Sequence, residues 1–241
     1  MLINIENVSY IYRKNKIKAL KNIDLKFSEH QTHAVLGHNG AGKTTLFLLM
    51  SGYLKLQSGR ITYNSKFIDN KKEIAYVPES GGFFGSLTVW ENLRFRYLIS
   101  EQPEQNMHER INLLIETFGL DEKINMQGKS LSTGLKKRLA LACAFVHKPK
   151  ILLLDEPTNG IDPTTYDMLV KILNSQKKKG HHILLNSHDL VFVSEVADDI
   201  CILNQGKVVC RKELNNLDEE QLKQLYFENT ESFEDKHYED I

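Results

Sequence analysis

Gly37-His38-Asn39-Gly40-Ala41-Gly42-Lys43-Thr44 decides how this chain is read. It follows residues 32–36, a short apolar run with the look of a strand, and it opens residues 43–51, which read as a helix. The pattern G-x-x-x-x-G-K-[ST] in that setting is a phosphate-binding turn. Its glycines let the backbone curl around phosphate oxygens without Cβ clashes. The amides from Gly37 through Thr45, and the start of the helix, then face the anion. Lys43 is placed to reach the β- and γ-phosphates of a nucleotide, and the Thr44 hydroxyl to coordinate Mg²⁺.

Outward from this turn, Ile151-Leu-Leu-Leu-Asp155-Glu156 supplies a second half. A buried strand delivers two adjacent carboxylates at its C-terminal end, where open α/β sheets bind ligands. Asp155 is expected to hold Mg²⁺ through water, and Glu156 to activate an attacking water. Further strands are expected at residues 2–12, 19–27, 59–63, 73–77, 183–186, 200–203 and 207–210, with 13–18 as a polar connection. Helices are expected at 89–99, 104–118, 135–147, 163–178 and 189–196. In the second of these, Ile111, Leu114, Ile115 and Phe118 follow the helical i, i+3, i+4, i+7 spacing. Strand–helix alternation around a glycine-rich turn implies a parallel α/β core, with the helical middle as an insertion.

Composition narrows the function. Of 241 residues, 41% are hydrophobic and 26% charged, which reads as globular and soluble. Lys+Arg and Asp+Glu both number 31, so binding to nucleic acid through bulk positive charge is disfavoured. The longest uninterrupted apolar run, residues 139–146, is too short to span a bilayer, and the N-terminus does not read as a signal peptide. Three cysteines, Cys143, Cys201 and Cys210, lack metal spacing and point to core packing in a reduced, cytosolic compartment. Residues 218–241 carry nine acidic groups and two lysines, leaving the rest of the chain at +7. This acidic tail is expected to begin as a short helix at 219–227 and to be mobile beyond Asn229.

The segment between the two phosphate-site motifs carries a resemblance. Leu131-Ser-Thr-Gly-Leu-Lys-Lys-Arg138 resembles the L-S-G-G-Q signature of ATP-binding cassette (ABC) ATPases. Asn159-Gly-Ile-Asp162 resembles their D-loop, Ser187-His188-Asp189 their switch histidine, and Tyr12 lies where their adenine-stacking aromatic does, with Tyr10 close by. The likeness runs from about residue 2 to 212. It implies a P-loop NTPase (RecA-like) α/β core, an N-terminal antiparallel β subdomain and a helical subdomain at about 86–147, within an ATPase domain at 1–217. It implies ATP and Mg²⁺ as cofactors. Lys43, Glu156 and His188 would be catalytic, with Tyr12, the 37–45 turn, Ser132, Gly134 and Asp162 contacting nucleotide. Thr44, Asp155 and Glu79 would contact the metal. Ser132 and nearby amides would bind the γ-phosphate held by a second ATPase subunit, in the simplest case another copy of this chain.

The departures from the family pattern are specific. Thr133 and Leu135 replace a glycine and the glutamine of the signature. Glu79, in Val77-Pro78-Glu79-Ser80, stands where the family usually has a glutamine. With L-S-T-G-L-K-K-R, this resembles ATPases serving bacterial multidrug and antibiotic-peptide exporters. A membrane-spanning partner subunit is then implied, with this chain peripheral on the inner face of the membrane. Phe83 and Phe84 read either as a docking patch for that subunit or as inward packing against the helical subdomain. Two other readings compete: a soluble assembly ATPase, of the iron–sulfur type, and a nucleotide-gated regulatory clamp.

Overall fold

The computed structural model describes residues 2–65, 73–100, 102–214 and 217–230. The expectation of mobility for the end of the tail, residues 231–241, lies outside them. Two sheets organise the chain. In the smaller, β1 (Ile3–Tyr12) pairs antiparallel with β2 (Ile17–Phe27) on one side and β4 (Arg60–Tyr63) on the other. The polar connection is shorter than the expected 13–18, because β2 already begins at Ile17.

The larger sheet has the order β5 (Ile74–Val77), β6 (Ile151–Asp155), β7 (His182–Ser187), β3 (Thr32–Leu36), β8 (Asp199–Asn204), β9 (Lys207–Glu213). The first five strands are parallel and β9 runs antiparallel to β8. The continuous apolar runs of β3 and β6 follow from burial on both faces. Alternate residues serve different cores: Leu152 and Leu154 join one cluster, Ile151 and Leu153 the other. The second cluster fills the space between the sheets, together with Leu46, Phe47 and Met50 of α1 (Lys43–Ser51).

The middle of the chain folds as α2 (Val89–Leu98), α3 (Met107–Thr117) and α4 (Thr133–Phe145). Thr88 and Glu91 form a reciprocal capping box that starts α2. The expected helix at 104–118 divides: Glu104–Asn106 is a 3₁₀ turn after Pro103, and α3 begins at Met107. Helix α4 starts two residues earlier than expected, because the Ser132 hydroxyl accepts from the Leu135 amide and caps it. Buried residues of all three helices, such as Leu93, Ile111 and Leu139, belong to one cluster with the sheet residues Ala34, Leu36 and Leu152.

The chain continues through α5 (Pro163–Lys178), α6 (Leu190–Val196) and α7 (Glu219–Thr230). Helix α7 is longer than the expected 219–227. It is anchored by fully buried Leu222, and Asn204 donates from its side chain to the Asn229 carbonyl at 3.1 Å. Among the described residues no helix is long and apolar enough to cross a membrane.

Candidate functional site

The carboxyl ends of β3, β6 and β7 meet at one cleft of about 530 Å³. It is lined by Tyr12, the backbone turn from His38 to Thr45, Glu79, Glu156, Asn159 and His188, among others. Most of the expected nucleotide and catalytic residues are thus brought to one place.

The turn owes its shape to its glycines. Gly42 has φ 108, and a Cβ there would strike the Ala19 carbonyl and the Leu20 side chain. Because Gly42 occupies the N-cap position of α1, no side chain caps that helix. Its first amides are left for an external acceptor. Lys43 folds back beneath the turn. Its ammonium donates to the Gly37 carbonyl at 2.7 Å and lies 3.2 Å from Glu156 Oε1.

Glu156 is buried and takes φ 44, a left-handed conformation rare outside glycine and asparagine. Its amide donates to Asn186 of β7, to the carbonyl at 3.1 Å and to the side-chain oxygen at 2.9 Å. Its Oε2 lies 2.9 Å from His188 Nδ1. Its Oε1 is buried, and among the described residues its partner is the Lys43 ammonium, as an ion pair. A buried carboxylate oriented by His188 on one oxygen, with the other facing the Lys43 ammonium, suits abstraction of a proton from water.

Thr44 Oγ1 donates to Asp155 Oδ1 at 3.1 Å, and Tyr76 Oη donates to Asp155 Oδ2 at 2.7 Å. Burial and the neighbouring carboxylate push the Tyr76 phenol well above its ordinary pKa, so it stays a donor. The Thr44 hydroxyl and the Asp155 carboxylate are hard oxygen donors of the kind Mg²⁺ takes, in small number beside substrate phosphates. Glu79 lines the same cleft, but its Oε1 accepts from Asn159 Nδ2 at 2.8 Å. Tyr12 stands edge-on to buried Tyr10, ring centres 5.0 Å apart, with its hydroxyl 3.2 Å from Thr45 Oγ1. Of the two tyrosines, Tyr12 lines the cleft.

Five expected residues do not line it: Gly37 and Asp155 lie just behind its wall, bonded to Lys43 and Thr44, and three others lie elsewhere. Ser132 is exposed at the cap of α4. Asp162 caps α5, accepting from the Thr165 amide at 3.0 Å. Gly134 packs against this cap so closely that a Cβ would collide with Asp162 Oδ2. The two phenylalanines of the following loop also part company. Phe83 packs inward over Gly128, where an added Cβ would lie 2.7 Å from its ring, while Phe84 is exposed against Phe95, ring centres 5.0 Å apart. Sequence reasoning missed Tyr76, Asn186 and Lys137. Tyr76 and Asn186 belong to no motif, and Lys137 lies in the signature segment without a role assigned to it; each reaches the site through sheet register or helix packing.

The model of the ABC transporter family matches residues 20–159. The energy-coupling factor transporter ATP-binding protein EcfA of Methanothermobacter thermautotrophicus is 33% identical over 217 residues, covering 86% of this chain and 70% of its own. A methionine import ATP-binding protein of Staphylococcus epidermidis is 30% identical over 220 residues, 86% of this chain and 64% of its own. Among solved structures, cbiO1 of Clostridium perfringens, part of the ABC transporter complex cbiONQ, superposes with a TM-score of 0.76 at 28% identity, covering 94% of each chain. The chain belongs to the ABC transporter family, as an ATP-binding subunit and an ATPase.

Proposed function

We propose that this chain powers a membrane transporter by ATP-driven pairing and hydrolysis on the inner face of the membrane. The observation that carries this reading is Glu156, held between Lys43 and His188 at the mouth of the phosphate turn. The turn amides and Lys43 hold the phosphates, and the Tyr12 ring offers a face to the adenine. Glu156 takes the proton of the attacking water through Oε1, the oxygen that faces Lys43. His188 keeps the other oxygen oriented. Mg²⁺, when bound with ATP, neutralises phosphate charge; Thr44 and Asp155 are the residues that would hold it, with Glu79 at the rim.

Ser132 and Gly134 lie outside their own chain's cleft, and in this reading the Ser132 end of α4 acts on nucleotide held by a second ATPase subunit. Exposed Phe84, with Phe95, Leu98 and Ile99 on the neighbouring turns of α2, forms the apolar surface for a membrane-spanning subunit. Export is inferred from Glu79 and the L-S-T-G-L-K-K-R segment alone. The relatives above bear import and energy-coupling factor names and lend it no support. The test is purification of the Glu156→Gln protein from membranes in ATP. It should come out as an ATPase pair with a multispan protein attached, and Phe84→Ser should release that protein. Recovery of only soluble monomer, while native protein still turns over ATP, would sink the reading.

A further inference from the structure

Lys137 sits in the K-K-R run that ends the signature segment, where a solvated lysine would be ordinary. In the fold it is 6% exposed. Its ammonium donates to the Glu79 carbonyl at 3.0 Å and to the Glu156 carbonyl at 3.3 Å. A buried cation is costly unless it is paired. Burial lowers the Lys137 pKa, and the carboxylates of Glu79, Asp155 and Glu156 oppose that shift. One side chain of α4 therefore grips two separate pieces of the cleft by their backbones.

The grip falls where the backbone needs it. Glu156 is left-handed, a conformation that persists in a non-glycine residue only when its surroundings over-determine it. Asn186 fixes the amide of Glu156 from β7, and Lys137 holds the carbonyl from α4. The loop that begins at Glu79 is held a second time by α2, whose Arg96 donates to the Gly82 carbonyl at 2.9 Å. Any shift of the helical segment against the sheet must stretch the bonds that Lys137 makes.

We propose that Lys137 is a positioning residue whose ammonium ties the backbones of Glu156 and Glu79 to the signature helix, so that the general base is aligned only while α4 is seated. This rests on the reading of Glu156 as the base. The test compares Lys137→Met, Lys137→Gln and Lys137→Arg with native protein and with Glu156→Gln. Methionine keeps the stem of the side chain and removes the buried charge, so folding should survive. Glutamine is the second variant if methionine fails to fold.

In nucleotide-free protein, hydrogen exchange at residues 79–82 and 156–159 should quicken about 10-fold in Lys137→Met as local opening becomes easier. Its kcat should fall about 10–100-fold, while KM and the binding of a fluorescent ATP analogue stay within about 3-fold, the pattern of lost alignment rather than lost binding. Lys137→Arg should restore most of the exchange protection and part of kcat. Exchange and kcat both within twofold of native in Lys137→Met would overturn the proposal. So would a rise in KM at unchanged kcat, or a lost kcat with native exchange. Native turnover in Glu156→Gln would remove the base reading, and the exchange data would then still decide whether the tie exists.

Discussion

Two helix N-termini in this molecule, those of α1 and α4, are finished differently. Helix α1 begins at Gly42, which has no side chain to cap it, and its amides open into the cleft beside Lys43. Helix α4 begins at Ser132, whose own hydroxyl caps it and whose position is exposed, outside that cleft. The first end has its cation, its carboxylates and its walls in the same chain. The second has only a hydroxyl, amides and the glycine that lets it pack on Asp162. One end has its cleft complete within the chain; under the function proposed above, the other is half of a site that a second ATPase subunit completes.

The sharpest way to break this contrast is to damage the complete site by two routes. Lys43→Ala removes charge that stabilises both bound and reacting phosphate, so nucleotide affinity and turnover should fall together. Glu156→Gln should spare binding and cut turnover roughly 10²-fold or more, the scale of a lost general base. Equilibrium binding and turnover on both variants check this. Equal losses of affinity would erase the distinction.

Ser132→Ala should act on the half site. It removes a cap, at about 1 kcal/mol of stability, visible as a lowered melting temperature. Nucleotide affinity of the monomer should stay native, while turnover and ATP-dependent pairing fall by about 10-fold, the scale of one lost charge-assisted hydrogen bond to phosphate. A weaker monomer affinity would mean that Ser132 serves its own chain's cleft. Tyr76→Phe should do less. Losing its bond to Asp155 costs about 1 kcal/mol, read as a Mg²⁺ requirement several-fold higher with ATP binding near native. Smallest of all should be removal of residues 231–241, which leaves α7 whole and hydrolysis unchanged. A loss of ATPase activity in a folded chain ending at Thr230 would place the acidic tail in the mechanism.

The same contrast explains what could be read from sequence. The phosphate turn is local: one strand, eight residues and one helix, all contiguous, so β3, α1 and the role of Gly42 were legible from spacing. Asp155 and Glu156 were legible because a strand buried on both faces must be apolar until it reaches the ligand. Lys137 was not. Whether a lysine in K-K-R is solvated or buried depends on how α4 packs against the Glu79 loop and β6. Tyr76 reaches Asp155 only because β5 and β6 pair in parallel with Tyr76 opposite Leu153. Adjacent Phe83 and Phe84 share composition and differ in fate because Gly128 offers a bare surface to one ring. The split of the expected 104–118 helix at Met107 is a boundary set by Pro103 and a 3₁₀ turn, beyond the reach of the apolar spacing that identified α3.

The strand order has a consequence for synthesis. Strand β3, with all five residues buried, takes β7 and β8 as its neighbours, and those begin at His182 and Asp199. During translation the strand that aims the phosphate turn therefore emerges long before either edge of it can be covered. At about 5–20 residues per second that interval is roughly 7–30 s. For that time Thr-His-Ala-Val-Leu is an unpaired apolar strand, open to pairing with neighbouring chains. The nucleotide cleft closes only after β7 has been made, so a ribosome that stalls before residue 182 releases a chain that carries the whole phosphate motif without the sheet that holds it.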